Sequence, residues 1–198
     1  MKRIGSIIVV IAFFCFLFSS CGGEPAWKQA LSVLEQKLIK LEEIADKVKS
    51  GDEEAVKEAK KIVEEFGEFG KDQPELTGDE QVQAAKAAEE LFEKYQTGVE
   101  LLSSDLDSFV EAKKALEDAL ALIPDFSKLA GELEDLIKKY KGGDMEAGAQ
   151  AQAKQKEIEY LYGRLKVYRV ICTDDGKKQI DAAQEKLMQQ YPFLQDYL

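Results

Sequence analysis

The chain contains no histidine. That single absence removes the Ser-His-Asp triad, the Cys-His pair, histidine-ligated zinc and histidine-ligated haem together. Cysteine is scarce, limited to Cys15, Cys21 and Cys172, and tryptophan occurs once, at Trp27. No phosphate-cradling glycine loop or nucleophile elbow is present. Asp105-Leu106-Asp107 begins like a calcium loop, but the required glycine and later ligands do not follow. We therefore expect a chain that is not an enzyme and has no catalytic, metal or cofactor site. Positive charge is also in deficit, with 27 Lys and Arg against 38 Asp and Glu, a net charge of −11. Nothing supplies a sustained phosphate-neutralising surface, which argues against a nucleic-acid partner. The same acidity gives no support to broad electrostatic adhesion to anionic lipid.

What is present begins at the amino end. Met1-Lys2-Arg3 precedes an unbroken apolar run from Ile7 to Phe18, and Ser19-Ser20-Cys21-Gly22-Gly23-Glu24-Pro25 then turns polar. A basic start, a short apolar core and small residues before a cut site describe a secretory signal. The run is well short of the roughly twenty residues that cross a bilayer as a helix. Phe18-Ser19-Ser20-Cys21 resembles the lipobox of bacterial lipoproteins, with Phe18 where the family usually has leucine. That resemblance implies cleavage before Cys21, with the cysteine lipidated as the new first residue. The expected division is a signal peptide over 1–20, a short tether over 21–25 and one helical domain over 26–198. The tether from Gly22 to Pro25 reaches at most about 14 Å, so the domain would sit close to the membrane. Gly22 rather than an aspartate follows the cysteine, which leans towards an outer-membrane lipoprotein facing the periplasm. Cys15 would leave with the signal and Cys21 would be alkylated. Cys172 would then have no disulfide partner, and stability must come from packing.

The remainder reads as helix. Strand-like alternation is nearly absent, and apolar residues recur every three or four positions. Trp27, Leu31, Leu34, Leu38, Leu41, Ala45 and Val48 form the clearest seam, stopped by Ser50-Gly51. Asp52 opens a second helix carrying Val56, Ala59, Val63 and Phe66, followed by a loop over 71–78. A third is expected from Asp79 with Val82, Ala85, Ala88, Phe92, Tyr95, Val99 and Leu102 inside. Ser103-Ser104-Asp105 is capping chemistry for a fourth, predicted to end at Pro124. Pro124-Asp125 then starts a fifth with Phe126, Leu129, Leu133, Leu136 and Tyr140 inside. Gly142-Gly143-Asp144 restarts a long sixth through Ile158, Leu161, Leu165, Tyr168 and Cys172. A seventh covers Ile180, Ala183, Leu187 and Tyr191. The fold class is all-α, a bundle or short array of about seven antiparallel helices.

Ala112, Leu116, Ala119 and Pro124 match the spacing of the second helix of a tetratricopeptide unit. The resemblance covers about a dozen residues. It implies that Phe92, Tyr95 and Val99 belong to the first helix of that unit, although Gln96 stands where the family has a small residue.

Paired carboxylates such as Glu42-Glu43, Glu64-Glu65 and Asp174-Asp175 flank the apolar seams, so they read as solvated faces and not as acid/base pairs. The most distinctive stretch is Tyr160-Leu161-Tyr162-Gly163-Arg164-Leu165-Lys166-Val167-Tyr168-Arg169. Tyr160, Arg164 and Tyr168 lie on one stripe, and Tyr and Arg are enriched at binding hot spots. They are the candidate partner-binding residues. The commoner fate is that the tyrosines fill the bundle while the arginines pair with acids. Cys172 continues the Leu161–Leu165–Tyr168 seam and is expected to be a buried filler. The apolar tail 191–198 is expected to cap its own bundle.

These observations favour a membrane-associated protein, held by lipidated Cys21, that binds another protein of the envelope without chemistry of its own. The alternative is a carrier or sensor holding a small apolar ligand between helices.

Overall fold

A computed structural model of the chain describes residues 26–69 and 78–198. The signal segment, Cys21, the tether and the loop 71–77 lie outside the described residues. Seven α-helices and a terminal 3-10 turn make up the described chain, with no strand among them: α1 Ala26–Lys49, α2 Glu53–Phe69, α3 Gly78–Lys94, α4 Gln96–Leu102, α5 Asp107–Lys141, α6 Met145–Ile171, α7 Asp174–Gln190, then Pro192–Asp196. The all-α class expected from periodicity is what is observed. Among the described residues no helix is long and apolar enough to cross a membrane.

The chain divides into two compact units, the first ending at Val110 and the second running from Glu111 to Leu198. In the first, α1 is the spine, packed by α2, α3 and α4. Its 4-3 seam is buried as expected: Leu34, Leu38, Leu41, Ala45 and Val48 are essentially inaccessible and Trp27 is 8% exposed against Ala30 and Ala84. Each fully buried leucine contributes about 1.5–3 kcal/mol of transfer free energy. The turn into α2 needs Gly51, whose φ of 75° is unfavourable for other residues. Asp52 caps the next helix, its carboxylate accepting from Ala55 N at 2.9 Å.

The expected third helix is two helices. It breaks at Tyr95, which adopts φ −116° and ψ 54°. Carboxylates of α1 hold the break. Glu35 Oε1 accepts from Tyr95 Oη and from Lys94 Nζ, each at 2.9 Å, and Glu42 Oε1 accepts from Gly98 N at 2.9 Å. The first turns of α3 are also rotated from the expected phase. Val82 is 69% exposed and Ala84 is buried where Ala85 was expected, while Ala88 and Phe92 are buried as expected.

Two expected helices are one. Pro124 lies inside α5, not at its end. An interior proline costs about 3 kcal/mol by removing one bond and crowding the carbonyl four residues back. Here Pro124 is exposed, so the carbonyl it frees lies on the solvated side. The buried residues Ala112, Ala115, Ala119, Leu122, Phe126, Ala130 and Leu133 keep one phase through it. Continuous packing on the opposite side outweighs the proline. Tyr140, expected inside, is 49% exposed near the end of the helix.

The second unit packs α5 from Glu111 onwards with α6, α7 and the terminal turn around Phe126, Leu133, Ile158, Leu165, Ile180, Leu187 and Leu194. Gly143, at φ 100°, turns the chain. Asp144 then caps α6 by accepting from Glu146 N and Ala147 N at 3.1 and 3.2 Å. Thr173 caps α7 through Gly176 N. Cys172 is buried, and burial pushes its thiol pKa up, so it is a packed filler with little thiolate. Leu194 is fully buried, with Tyr191, Phe193 and Leu198 packed alongside, so the tail closes its own bundle.

Candidate functional site

A helix that serves one core is apolar on one face. The last three turns of α6 are apolar on two. Ile158 and Leu165 are buried, with Leu161 and Tyr168 packed beside them. At 100° per residue, Tyr160, Val167 and Ile171 fall on the side opposite that seam. There they are exposed: Tyr160 by 66%, Val167 by 62% and Ile171 by 47%, with Val170 beside them at 79%. Scattered exposed apolar residues are ordinary, but four within three turns form a patch.

Gly163 lies in the middle of this face. Glycine inside a helix costs about 1 kcal/mol relative to alanine. Nothing in the chain demands it, because a Cβ at Gly163 would meet no atom within 4 Å. The missing side chain leaves a recess of about 360 Å³ lined by Tyr160, Gly163, Arg164, Val167 and Tyr168. Arg164 borders the recess. Its Nη2 donates to Tyr168 Oη at 2.8 Å and its guanidinium lies 5.5 Å from the Tyr168 ring centre. The bond to the Tyr168 hydroxyl raises the Arg164 pKa further. Arg169 instead points to the bundle side and pairs with Asp181 through two bonds of 2.6 and 2.8 Å.

Tyr160, Arg164 and Tyr168 therefore do share one face, but in different roles. Tyr160 stands in solvent, not in the bundle. Tyr168 is half-buried and holds Arg164 in place. Val167, Val170 and Ile171 were missed in the sequence, and the signal for them was available. They are apolar residues out of phase with the Leu161–Leu165–Cys172 seam.

The first unit carries a second feature. Where α3 gives way to α4 and then to α5, an open groove of about 850 Å³ runs over a floor of Phe92, Val99 and Phe109. Glu89, Glu93, Glu100 and Asp105 line it. Glu100 is 3.4 Å from Lys49, whereas Glu89 and Glu93 form no ion pair with any described residue. Among the described residues, no group of three or more acidic or cysteine side chains is placed to hold a metal ion. Compared with protein-family models, curated proteins and solved structures, the chain matches none.

Proposed function

We propose that this protein is a lipid-anchored component of the bacterial cell envelope, held through Cys21 at the outer membrane facing the periplasm, where it binds protein without catalysing a reaction. The anchor rests on the lipobox-like junction Phe18-Ser19-Ser20-Cys21. The binding role rests on one observation, the exposed second apolar face of α6 around Gly163 and Arg164. Aromatic, aliphatic and arginine side chains around a recess are the composition of interface anchors. A carrier of small apolar ligands would enclose its cargo, whereas the grooves of about 590 and 850 Å³ open to solvent between charged side chains.

The test is site-specific photo-crosslinking in the envelope of the expressing bacterium. A crosslinking side chain at Val167 is expected to capture protein, while one at Met145, 74% exposed at the far end of α6, captures none. Capture at neither position, or equally at both, would overturn the binding role of this face.

A further inference from the structure

We propose that the α6 face takes as its partner a second copy of this chain, docking into that copy's acidic groove between α3, α4 and the start of α5. This rests on the reading of the α6 face as a protein-binding surface and names its occupant.

Charge complementarity over two apolar surfaces favours this pairing. From Tyr160 to Ile171 the sequence contains Arg164, Lys166 and Arg169 and no carboxylate, within a chain of net charge −11. Two such chains repel on average, so only a contact that brings this segment to a strongly acidic site is attractive. The groove is such a site, with Glu89, Glu93, Glu100 and Asp105 around Phe92, Val99 and Phe109. Arg164 and Lys166 meet its carboxylates while Tyr160 and Val167 meet its floor. Lys166 is held 4.2 Å over the Tyr162 ring, beside the same face. The recess at Gly163 lets the partner's backbone approach where any side chain would hold it off.

The opposite pairing, α6 against α6 about a twofold axis, would bring Arg164 and Lys166 against the same two cations, Arg169 being paired with Asp181 on the bundle side. Like charges across an interface are penalised, which disfavours that arrangement. A face docking into a different groove is heterologous. Each added copy leaves one free face and one free groove, so assembly continues into rings or open chains until one is blocked.

Two full-length variants decide the matter, purified in mild non-ionic detergent and carrying different tags. One loses the face, Arg164→Glu with Val167→Glu. The other loses the groove, Glu89→Lys with Glu93→Lys. Far-ultraviolet circular dichroism confirms that both keep the helical fold. Protein mass is read by light scattering after size exclusion, across roughly 1 to 300 µM, the range in which a small interface associates. The unaltered chain is expected to grow in mass with concentration beyond a dimer. Each variant alone is expected to stay monomeric, with association weakened more than about tenfold. Mixed together they form a dimer and nothing larger, because one intact face meets one intact groove. Raising salt from low to physiological weakens that dimer. An unaltered chain that is monomeric throughout, or a mixture that stays monomeric, overturns the inference. So does a groove variant that dimerises alone, which would show α6 pairing with α6. Binding to vesicles of neutral and anionic phospholipid through Val167, without self-association, would assign the face to lipid. The parent reading fails separately, if Val167 crosslinks to no protein in the envelope.

Discussion

Two glycines placed inside helices make opposite predictions from the same substitution. At Gly98 in α4, an added Cβ would lie 3.0 Å from the Leu38 carbonyl oxygen and 3.3 Å from Leu41 Cβ. The first neighbour is backbone of the buried spine α1 and cannot swing aside. Gly98→Ala gains about 1 kcal/mol of helix propensity. It must also push α4 off α1, an overpacking cost of about 1–3 kcal/mol. The shift strains the bond from Gly98 N to Glu42, and a half-buried amide left without its acceptor costs about 1–3 kcal/mol more. The net expectation is a loss of about 1–5 kcal/mol. At Gly163 the added Cβ meets nothing within 4 Å, so the propensity gain of about 1 kcal/mol is uncompensated. For a chain of this size, 1 kcal/mol moves Tm by about 2–4 °C. Gly98→Ala is therefore expected to lower the melting temperature by about 2–20 °C, followed by Trp27 fluorescence, since the only tryptophan lies in the same unit. Gly163→Ala, followed by circular dichroism at low concentration, is expected to raise it by about 2–4 °C. A Gly98→Ala variant more stable than the parent would refute the close approach of α4 to α1. A destabilised Gly163→Ala would show that the glycine serves the chain's own fold, leaving no spare recess for a partner.

Glu35 is held below its usual 4.5 by hydrogen bonds from Lys94 and then Tyr95. A carboxylate with a depressed folded pKa stabilises above its unfolded value and loses that contribution as pH falls through the folded one. Melting temperature should drop more steeply below about pH 4.5 for the parent than for Glu35→Gln, and equal slopes would show that the pair at the α3–α4 break contributes nothing. Pro124→Ala should stabilise by about 2 kcal/mol, the helix-interior penalty less the entropy that proline removes from the unfolded chain; an unchanged denaturant midpoint would show that α5 does not run through residue 124. Trp27 should emit at short wavelength, resist iodide quenching and ignore added vesicles, and a red, readily quenched emission that shifts only with vesicles would remove it from the core of the first unit.

Periodicity was a sound guide wherever one face of a helix packs against one core. The seam from Trp27 to Val48 could be read directly because α1 is covered by three helices, and its apolar residues leave no second choice of face. Reading failed where tertiary contacts decide between local options. Nothing local marks Tyr95 as a break, since the groups that hold it, Glu35 and Glu42, lie on α1. Pro124 is a stop signal by local rules, yet it faces solvent while Leu122 and Phe126 keep packing. The α6 face was half legible. The Tyr160–Arg164–Tyr168 spacing picked out the right turns, but a pattern fitted to one seam absorbed Tyr168 and passed over Val167 and Ile171.

The proposed anchor and the proposed self-contact strengthen one another. An interface built on one recess and a few charges is weak in dilute solution, because the translational freedom lost on association consumes most of what it gains. Tethering each copy to one membrane through Cys21 removes part of that loss in advance. Held on a short tether, copies meet at an effective concentration that approaches the millimolar range of flexibly linked partners. A contact that forms in solution only at high concentration is then populated at the membrane. The consequence can be measured in one experiment. A crosslinker at Val167 should join copies of the chain in the envelope, with the crosslinked peptides of the partner copy lying in α3 and α4. Introducing Cys21→Ser, with intact-mass analysis to show loss of the diacylglyceryl group, should release or stall the protein. It should also lower the yield of joined copies at equal expression by about tenfold or more. If the yield is unchanged without the lipid, the contact does not depend on membrane concentration and the coupling is wrong. If the mature chain never carries lipid on Cys21, the anchor itself is wrong, and the α6 face must be explained for a protein free in its compartment.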